Sequence, residues 1–105
     1  MSGVFLGGIK SMAVASFVLD TNITVTNTTQ EVDVTVNGVL VGDWVFVNKP
    51  SHSTGIGILN VRVKSANTVS ITYGNLTGSG VDPASETYSL LIIRPDQVLV
   101  SNAIF

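Results

Sequence analysis

Few residue types in this chain could act in catalysis. His52 is the only histidine and lies between Ser51 and Ser53 in a polar turn, so a Ser-His-Asp triad would have to use this turn. Residues adjacent in a loop rarely reach triad geometry, and a single histidine excludes a histidine-rich metal site. Glu31 and Asp33 alternate on one strand face, as a glycosidase pair or half of a calcium site could, although solvated strand-face charges are commoner. We therefore predict a protein that is not an enzyme and that has no metal and no cofactor.

Aromatic side chains offer another kind of chemistry, because exposed rings can stack on sugars. Trp44, Phe46, Tyr73 and Tyr88 could form such a platform, and the chain would then be a carbohydrate-binding β-sandwich. Large aromatic residues in patterns of this kind are more often core residues. Asp43 is expected to bond backbone N–H groups of its turn rather than to act in catalysis.

Composition limits the possible partners. The chain of 105 residues is long enough for one domain. Its charged residues make up 11%, against about 25% in an ordinary domain, and its mean hydropathy is +0.47. The surface of a monomer would be unusually poor in charge, which favours self-association. A net charge of −2 with five basic residues gives no footprint for nucleic acid or for an anionic membrane, and the lack of cysteine excludes disulfides and thiolate sites.

Two stretches are apolar on both faces. In Val39 to Pro50, Trp44 and Phe46 alternate with Val45 and Val47, and Glu86 to Arg94 has a similar pattern. A strand that is apolar on both faces must be covered on both, so each stretch is predicted to be a central strand. Interfaces of permanent oligomers resemble a domain core cut in half. The predicted oligomer interface consists of Trp44, Phe46, Leu91 and Ile93.

The other segments also predict strands. Residues 13–20 are the first, residues 31–36 alternate Val with outward polar residues, and residues 56–64 and 69–73 form a hairpin with Asn67 in its turn. Residues 56–64 are expected to place Leu59, Val61 and Val63 on one face. A polar, Gly-rich loop over residues 74–83 is the first place to look for a contact surface, which could bind host glycans.

These segments predict an all-β fold, a small antiparallel β-sandwich or barrel of seven to eight strands with extended N- and C-terminal arms. We expect an apolar, Gly-rich N-terminal arm over residues 1–12, a β-sandwich domain over 13–95, and a C-terminal tail or arm over 96–105. Apolar arms of this kind can become ordered on the surface of a neighbour.

Three segments between Val39 and Pro95 resemble small structural proteins of tailed bacteriophages, in which the motifs G-D-x-V-x-V-x-K-P, S-A-N-T-h-x-I-x-h (h apolar) and E-T-Y recur. The matching segments are Gly42-Asp43-Trp44-Val45-Phe46-Val47-Asn48-Lys49-Pro50, Ser65-Ala66-Asn67-Thr68-Val69-Ser70-Ile71-Thr72-Tyr73 and Glu86-Thr87-Tyr88, the last running on to Arg94-Pro95. These motifs are structural rather than catalytic, and residues 1–38 and 96–105 lie outside the resemblance.

The resemblance implies a virion component made in the host cytoplasm, namely a capsid decoration (cement) protein on the capsid surface, often a homotrimer. Its partners would be further copies of itself and the major capsid protein or other virion proteins. A tail, neck or head-fibre subunit is the alternative within the virion, and a carbohydrate-binding module is the alternative outside it. In the decoration protein, the arms would contact the capsid through Val4, Phe5, Leu6, Ile9, Leu99, Ile104 and Phe105.

Overall fold

The computed structural model describes the backbone of residues 5–6, 8–96 and 98–99 and the side chains of residues 8–96. These ranges contain no helix. The strands are β1 (Phe5–Leu6), β2 (Ile9–Leu19), β3 (Thr28–Thr35), β4 (Trp44–Asn48), β5 (Ile56–Ser65), β6 (Thr68–Asn75), β7 (Glu86–Pro95) and β8 (Val98–Leu99). Two antiparallel sheets have the strand orders β2-β7-β4 and β3-β6-β5, and β1 pairs with β8. The predicted all-β fold is therefore confirmed, and the arrangement is that of a small β-sandwich.

The sheet built around β7, called the β7 sheet, contains both of the stretches predicted to be central strands, and only one of them is central. β7 lies between β2 and β4, so Glu86 to Arg94 forms a central strand as predicted. Among the residues that the structure describes, β4 pairs with β7 alone, so the prediction of a central strand within Val39 to Pro50 is wrong. Pro50 cannot donate to a ladder, and the turn that follows, closed by a 3.0 Å bond from Ile56 N to the Ser53 carbonyl, takes the chain to the other sheet.

The sheet built around β6, called the β6 sheet, contains the predicted hairpin. Asn67 turns the chain from β5 into β6 with a φ of 66°, the left-handed conformation that asparagine tolerates. A bulge between Ile58 and Asn60 shifts the register of β5, so the prediction that Leu59 shares a face with Val61 and Val63 is wrong. Leu59 lies over Gly74, where an added Cβ would come within 2.9 Å of the leucine Cδ1.

The core lies between the inner faces of the two sheets. Ile71 on β6 and Leu90 on β7 are fully buried, because alternate residues of a strand point to the same face. The hydroxyls of Tyr73 and Tyr88 meet at 2.8 Å and join the two sheets, and Phe17 stacks on Tyr88 with ring centroids 5.6 Å apart. Among the described residues, every buried side-chain nitrogen and oxygen has a hydrogen-bond partner.

The two ends of the described chain meet as one ribbon. β2 begins at Ile9, so residues 9–12, which the sequence assigned to the N-terminal arm, lie in the β7 sheet. A bulge between Ile9 and Ser11 accommodates this extension, and the Asp96 N–H donates to the Gly8 carbonyl at 2.8 Å. Beyond it, residues 5–6 pair with residues 98–99. The terminal ribbon, defined as β1 and β8, therefore continues the pairing of β2 with β7.

Candidate interaction surface

The outer face of the β7 sheet is apolar and open. Opposite residues in the ladders share a face, and two adjacent rows across β2, β7 and β4 contain no polar side chain. These six residues, called the apolar face, are Met12, Ile93 and Trp44 in one row and Val14, Leu91 and Phe46 in the next. The side chains on the two edge strands are 51% to 72% exposed, and the two on β7 are half-buried. A large apolar patch on a soluble protein usually marks an interaction site.

The apolar face brings together all four predicted interface residues. Trp44 and Phe46 are exposed rather than buried, at 59% and 51%, so the interpretation of these two aromatics as core residues is wrong. Met12 and Val14 were missed, because β2 was predicted to begin at Ala13 and its register with β7 cannot be read from its own residues. The row that follows, Ser16-Ser89-Asn48, is polar and ends the face.

One end of the β4–β7 pair is fixed by Asp43 and Arg94. The guanidinium donates to both carboxylate oxygens at 2.8 and 2.7 Å, and Leu40 N donates to the carboxylate at 2.9 Å. This confirms the predicted turn role of Asp43, whose side chain is only 3% exposed. The hydrogen bonds from Arg94 lower the pKa of Asp43 below its ordinary value, against the opposing effect of burial. No local sequence pattern predicts this pair, because its members are separated by 51 positions.

The other end of the pair is fixed by Lys49 and Glu86. Their charged atoms are 2.8 Å apart and both side chains are largely buried. Ser51 donates to the Glu86 carboxylate at 2.8 Å and accepts from Lys49 at its carbonyl. The hydrogen bond from Lys49 is the main cause of the lowered pKa of Glu86. The charged residues of the two motif segments 42–50 and 86–95 thus pair with each other and hold β4 beside β7.

The candidate catalytic acids lie on the outer face of the β6 sheet. Glu31 pairs with Arg62 at 3.2 Å, and Asp33 pairs with Lys64 at 3.1 Å. The Ser70 hydroxyl donates to Asp33 at 2.6 Å, and this bond, followed by the one from Lys64, lowers the pKa of Asp33. A glycosidase general acid needs a raised pKa instead. These acids form a charge ladder with the basic residues of β5.

The other candidate site residues are dispersed. His52 is exposed in its turn. Tyr73 and Tyr88 are buried, as expected of core residues, so the alternative of a four-residue aromatic platform does not form. No group of three or more His, Asp or Glu side chains within residues 8–96 could hold a metal ion.

The loop that follows β6 is organised around a buried amide. The Asn75 side chain donates to the Val25 and Ser79 carbonyls at 2.7 and 2.8 Å and accepts from Thr77. Ile23 and Val81 form a single bridge beside it. Leu76 projects from the loop and is 84% exposed.

The predicted arm residues have separate outcomes. Phe5, Leu6 and Leu99 lie in the terminal ribbon, and Ile9 lies in β2 with 58% exposure. Val4, Ile104 and Phe105 lie outside the described residues.

Comparisons with protein-family models, with curated proteins and with solved structures give no significant match. Within the described part of the chain, no helix has the length and apolarity needed to cross a membrane.

Proposed function

We propose that this chain is a structural subunit of a tailed-bacteriophage virion, a capsid decoration (cement) protein that oligomerises on the head shell and stabilises it. The observation that carries the proposal is the apolar face, in which Trp44 and Phe46 are more than half exposed. Permanent oligomers bury faces of this composition against further subunits. Burying a fully exposed large apolar side chain contributes about 1.5–3 kcal/mol, and these six, which are already partly buried, would each contribute part of that on association.

The two ion pairs at the ends of β4 support an interface role for this strand. Asp43 with Arg94 and Lys49 with Glu86 fix β4 in one register on β7, so the exposed aromatics are held in place before any partner arrives. A preorganised surface loses less conformational entropy on association. The motif residues shared with phage structural proteins therefore have a structural explanation that fits a rigid building block.

The terminal ribbon is the part of the molecule proposed to reach the capsid. Its strands extend beyond the β7 sheet. The sequence around β1 is apolar and rich in glycine, and the sequence around β8 is apolar. Many weak contacts made at once by an oligomer add up to tight binding. In this arrangement the apolar face joins the copies of the chain, with three as the expected number, and the ribbon of each copy contacts the major capsid protein.

The exposed ring of Trp44 could also stack on a sugar, as in a glycan-binding module. Its row partners, Ile93 and Met12, are aliphatic, and specific sites for polar ligands combine an apolar surface with a few placed polar groups. A tail, neck or head-fibre subunit would use the same fold at another position in the virion, and no feature of the apolar face favours it over a decoration protein.

The substitution Phe46→Lys tests the proposal. A charge within the apolar face should dissociate the trimer, seen as the loss of a mass of three times 11.0 kDa by light scattering, and abolish binding to undecorated heads, while the far-ultraviolet circular dichroism keeps its β signal. Leu76→Lys is the matched control, because Leu76 is exposed but lies in a loop away from this face. It should behave as the unmodified chain.

Two outcomes would contradict the proposal. Unchanged mass and unchanged head binding of Phe46→Lys would remove the apolar face from the interface. A monomeric unmodified chain whose Trp44 fluorescence responds to added glycans would favour the carbohydrate-binding module. A chain lacking residues 1–7 distinguishes the contact between copies from the contact with the capsid. It should keep the same number of chains in the oligomer and lose binding to heads.

A further inference from the structure

β2 is the one strand edge of the two sheets that lacks the usual protection against pairing. Edge strands expose unpaired N–H and C=O groups, and proteins protect them by short length, charge, proline or bulges. β2 runs for eleven residues, from Ile9 to Leu19, and within the described residues its only partner strand is β7. Within it, Lys10 is the only charged residue, there is no proline, and its single bulge lies at the start.

Each of the other three edge strands has at least one of these protections. β4 has five residues and is followed by Lys49 and Pro50. β3 carries the charges of Glu31 and Asp33. β5 is interrupted by two bulges, between Ile58 and Asn60 and between Val63 and Ser65, and carries Arg62 and Lys64. The same fold therefore protects three edges and leaves the longest strand open.

We propose that β2 pairs edge to edge with β2 of a second copy of this chain, antiparallel about a two-fold axis at Val14. The contact is made by the backbone edge of β2, which borders the apolar face at Met12 and Val14, and it does not rest on the proposed virion function. It joins two β7 sheets into one six-stranded sheet.

Charge selects the antiparallel arrangement. An antiparallel overlap centred on Val14 brings the start of β2 in one copy, where Lys10 lies in the bulge, to the end of β2 in the other copy, next to Val18 and Asp20. Opposite charges at such positions stabilise a sheet, and like charges destabilise it. The two-fold axis makes this contact twice. A parallel, in-register pair would place Lys10 beside Lys10 and Asp20 beside Asp20.

The exposed side chains of β2 fit the same occupant. Val14 and Val18 are 72% and 70% exposed, and valine is among the residues that pack best across paired strands. The antiparallel pair also sets Val14 beside its own copy, so the two apolar faces become continuous across the axis.

The chain has no cysteine, so single cysteines report the pairing without background. In an antiparallel pair, directly opposite Cα atoms lie about 4.5–5.5 Å apart, within the range that a disulfide spans. Val14→Cys should therefore form a disulfide-linked dimer under mild oxidation, read on a non-reducing gel. Val18→Cys is the matched control, since its two copies would be about 26 Å apart and should show only collisional background. An equimolar mixture of Lys10→Cys and Val18→Cys chains should link to each other.

Each other result overturns the inference. Linking by both Val14→Cys and Val18→Cys indicates a parallel pair, and linking by neither indicates an edge that is free or covered by another segment. A second test uses charge and needs no cysteine. Val18→Lys places a lysine of one copy beside Lys10 of the other and should raise the dimer dissociation constant roughly tenfold. Adding Lys10→Glu should return the dissociation constant to its original value. If Val18→Lys has no effect, the edge contact is excluded.

The mass of the unmodified chain separates this inference from the proposed function. Pairing through β2 gives an even number of chains, two alone or six if the trimer also forms. A stable mass of three times 11.0 kDa would support the trimer and overturn the β2 contact, whereas a dimer that survives Phe46→Lys would do the reverse.

Discussion

The outer face of the β6 sheet carries a charge ladder, whereas the outer face of the β7 sheet carries six apolar side chains. On the β6 sheet, Glu31 and Asp33 pair with Arg62 and Lys64, as expected of a strand face in contact with water. On the β7 sheet, the two ion pairs lie at the ends of β4, Lys10 lies at the start of β2, and none of the six residues of the apolar face is charged. In both sheets, the inner face alone supplies the side chains of the hydrophobic core. The composition of an outer face is therefore not set by the core, and the two outer faces differ in whether their side chains suit contact with water.

The largest expected effect tests whether the two inner faces are equivalent. Leu90→Ala in the β7 sheet and Ile71→Ala in the β6 sheet each remove a fully buried side chain. Each should lower the free energy of unfolding by about 2–5 kcal/mol, measured by urea denaturation. Val14→Ala on the apolar face is the control and should change the stability of the monomer by less than about 0.5 kcal/mol. An equal loss for Val14→Ala would contradict the assignment of this face as external to the fold.

An intermediate effect concerns the hydroxyl pair that joins the sheets. Tyr73→Phe removes one partner of the 2.8 Å contact and leaves the Tyr88 hydroxyl buried, at a cost of about 1–3 kcal/mol. Replacing both tyrosines by phenylalanine should cost less than the sum of the single changes, because no unpaired hydroxyl remains. Burial raises the pKa of Tyr73 above its ordinary range, so the hydroxyl stays protonated up to strongly alkaline pH. Additive losses in the double-mutant cycle would show that the two hydroxyls do not interact.

The smallest effect compares the charges of the two sheets in acid. The folded-state pKa of Asp43 and that of Asp33 are both lowered. Each carboxylate therefore stabilises the fold above its ordinary pKa of 3.8, and the contribution is lost as the pH falls through the lower folded-state value. Asp43 is nearly buried by Arg94, whereas Asp33 is exposed and is screened by salt. Asp43→Asn should flatten the dependence of stability on pH below 3.8 at low and at high salt alike. Asp33→Asn should flatten it less at high salt, where the attraction of Lys64 is screened and the hydrogen bond from Ser70 remains. Equal behaviour of the two variants would remove this distinction between the sheets.

Much of the fold could be predicted from local patterns. The hairpin at Asn67 and the central position of β7 are both present, because turn chemistry and two-residue periodicity act over short stretches. The position of β4 could not be predicted this way. An apolar pattern on both faces indicates that both must be covered, but it does not say whether the cover comes from the same chain or from another. The bulge that exposes Leu59 is likewise invisible in its alternating sequence.

The sequence by itself determined which residues were available for an interface, since Trp44, Phe46, Leu91 and Ile93 follow from periodicity alone. Only the tertiary structure decided that they share one open face with Met12 and Val14, that Asp43 meets Arg94, and that residues 5–6 pair with 98–99. Periodicity is a property of one strand and fixes which face a side chain takes. Strand order and register are set by contacts between segments that are distant in the chain, and no local pattern contains them.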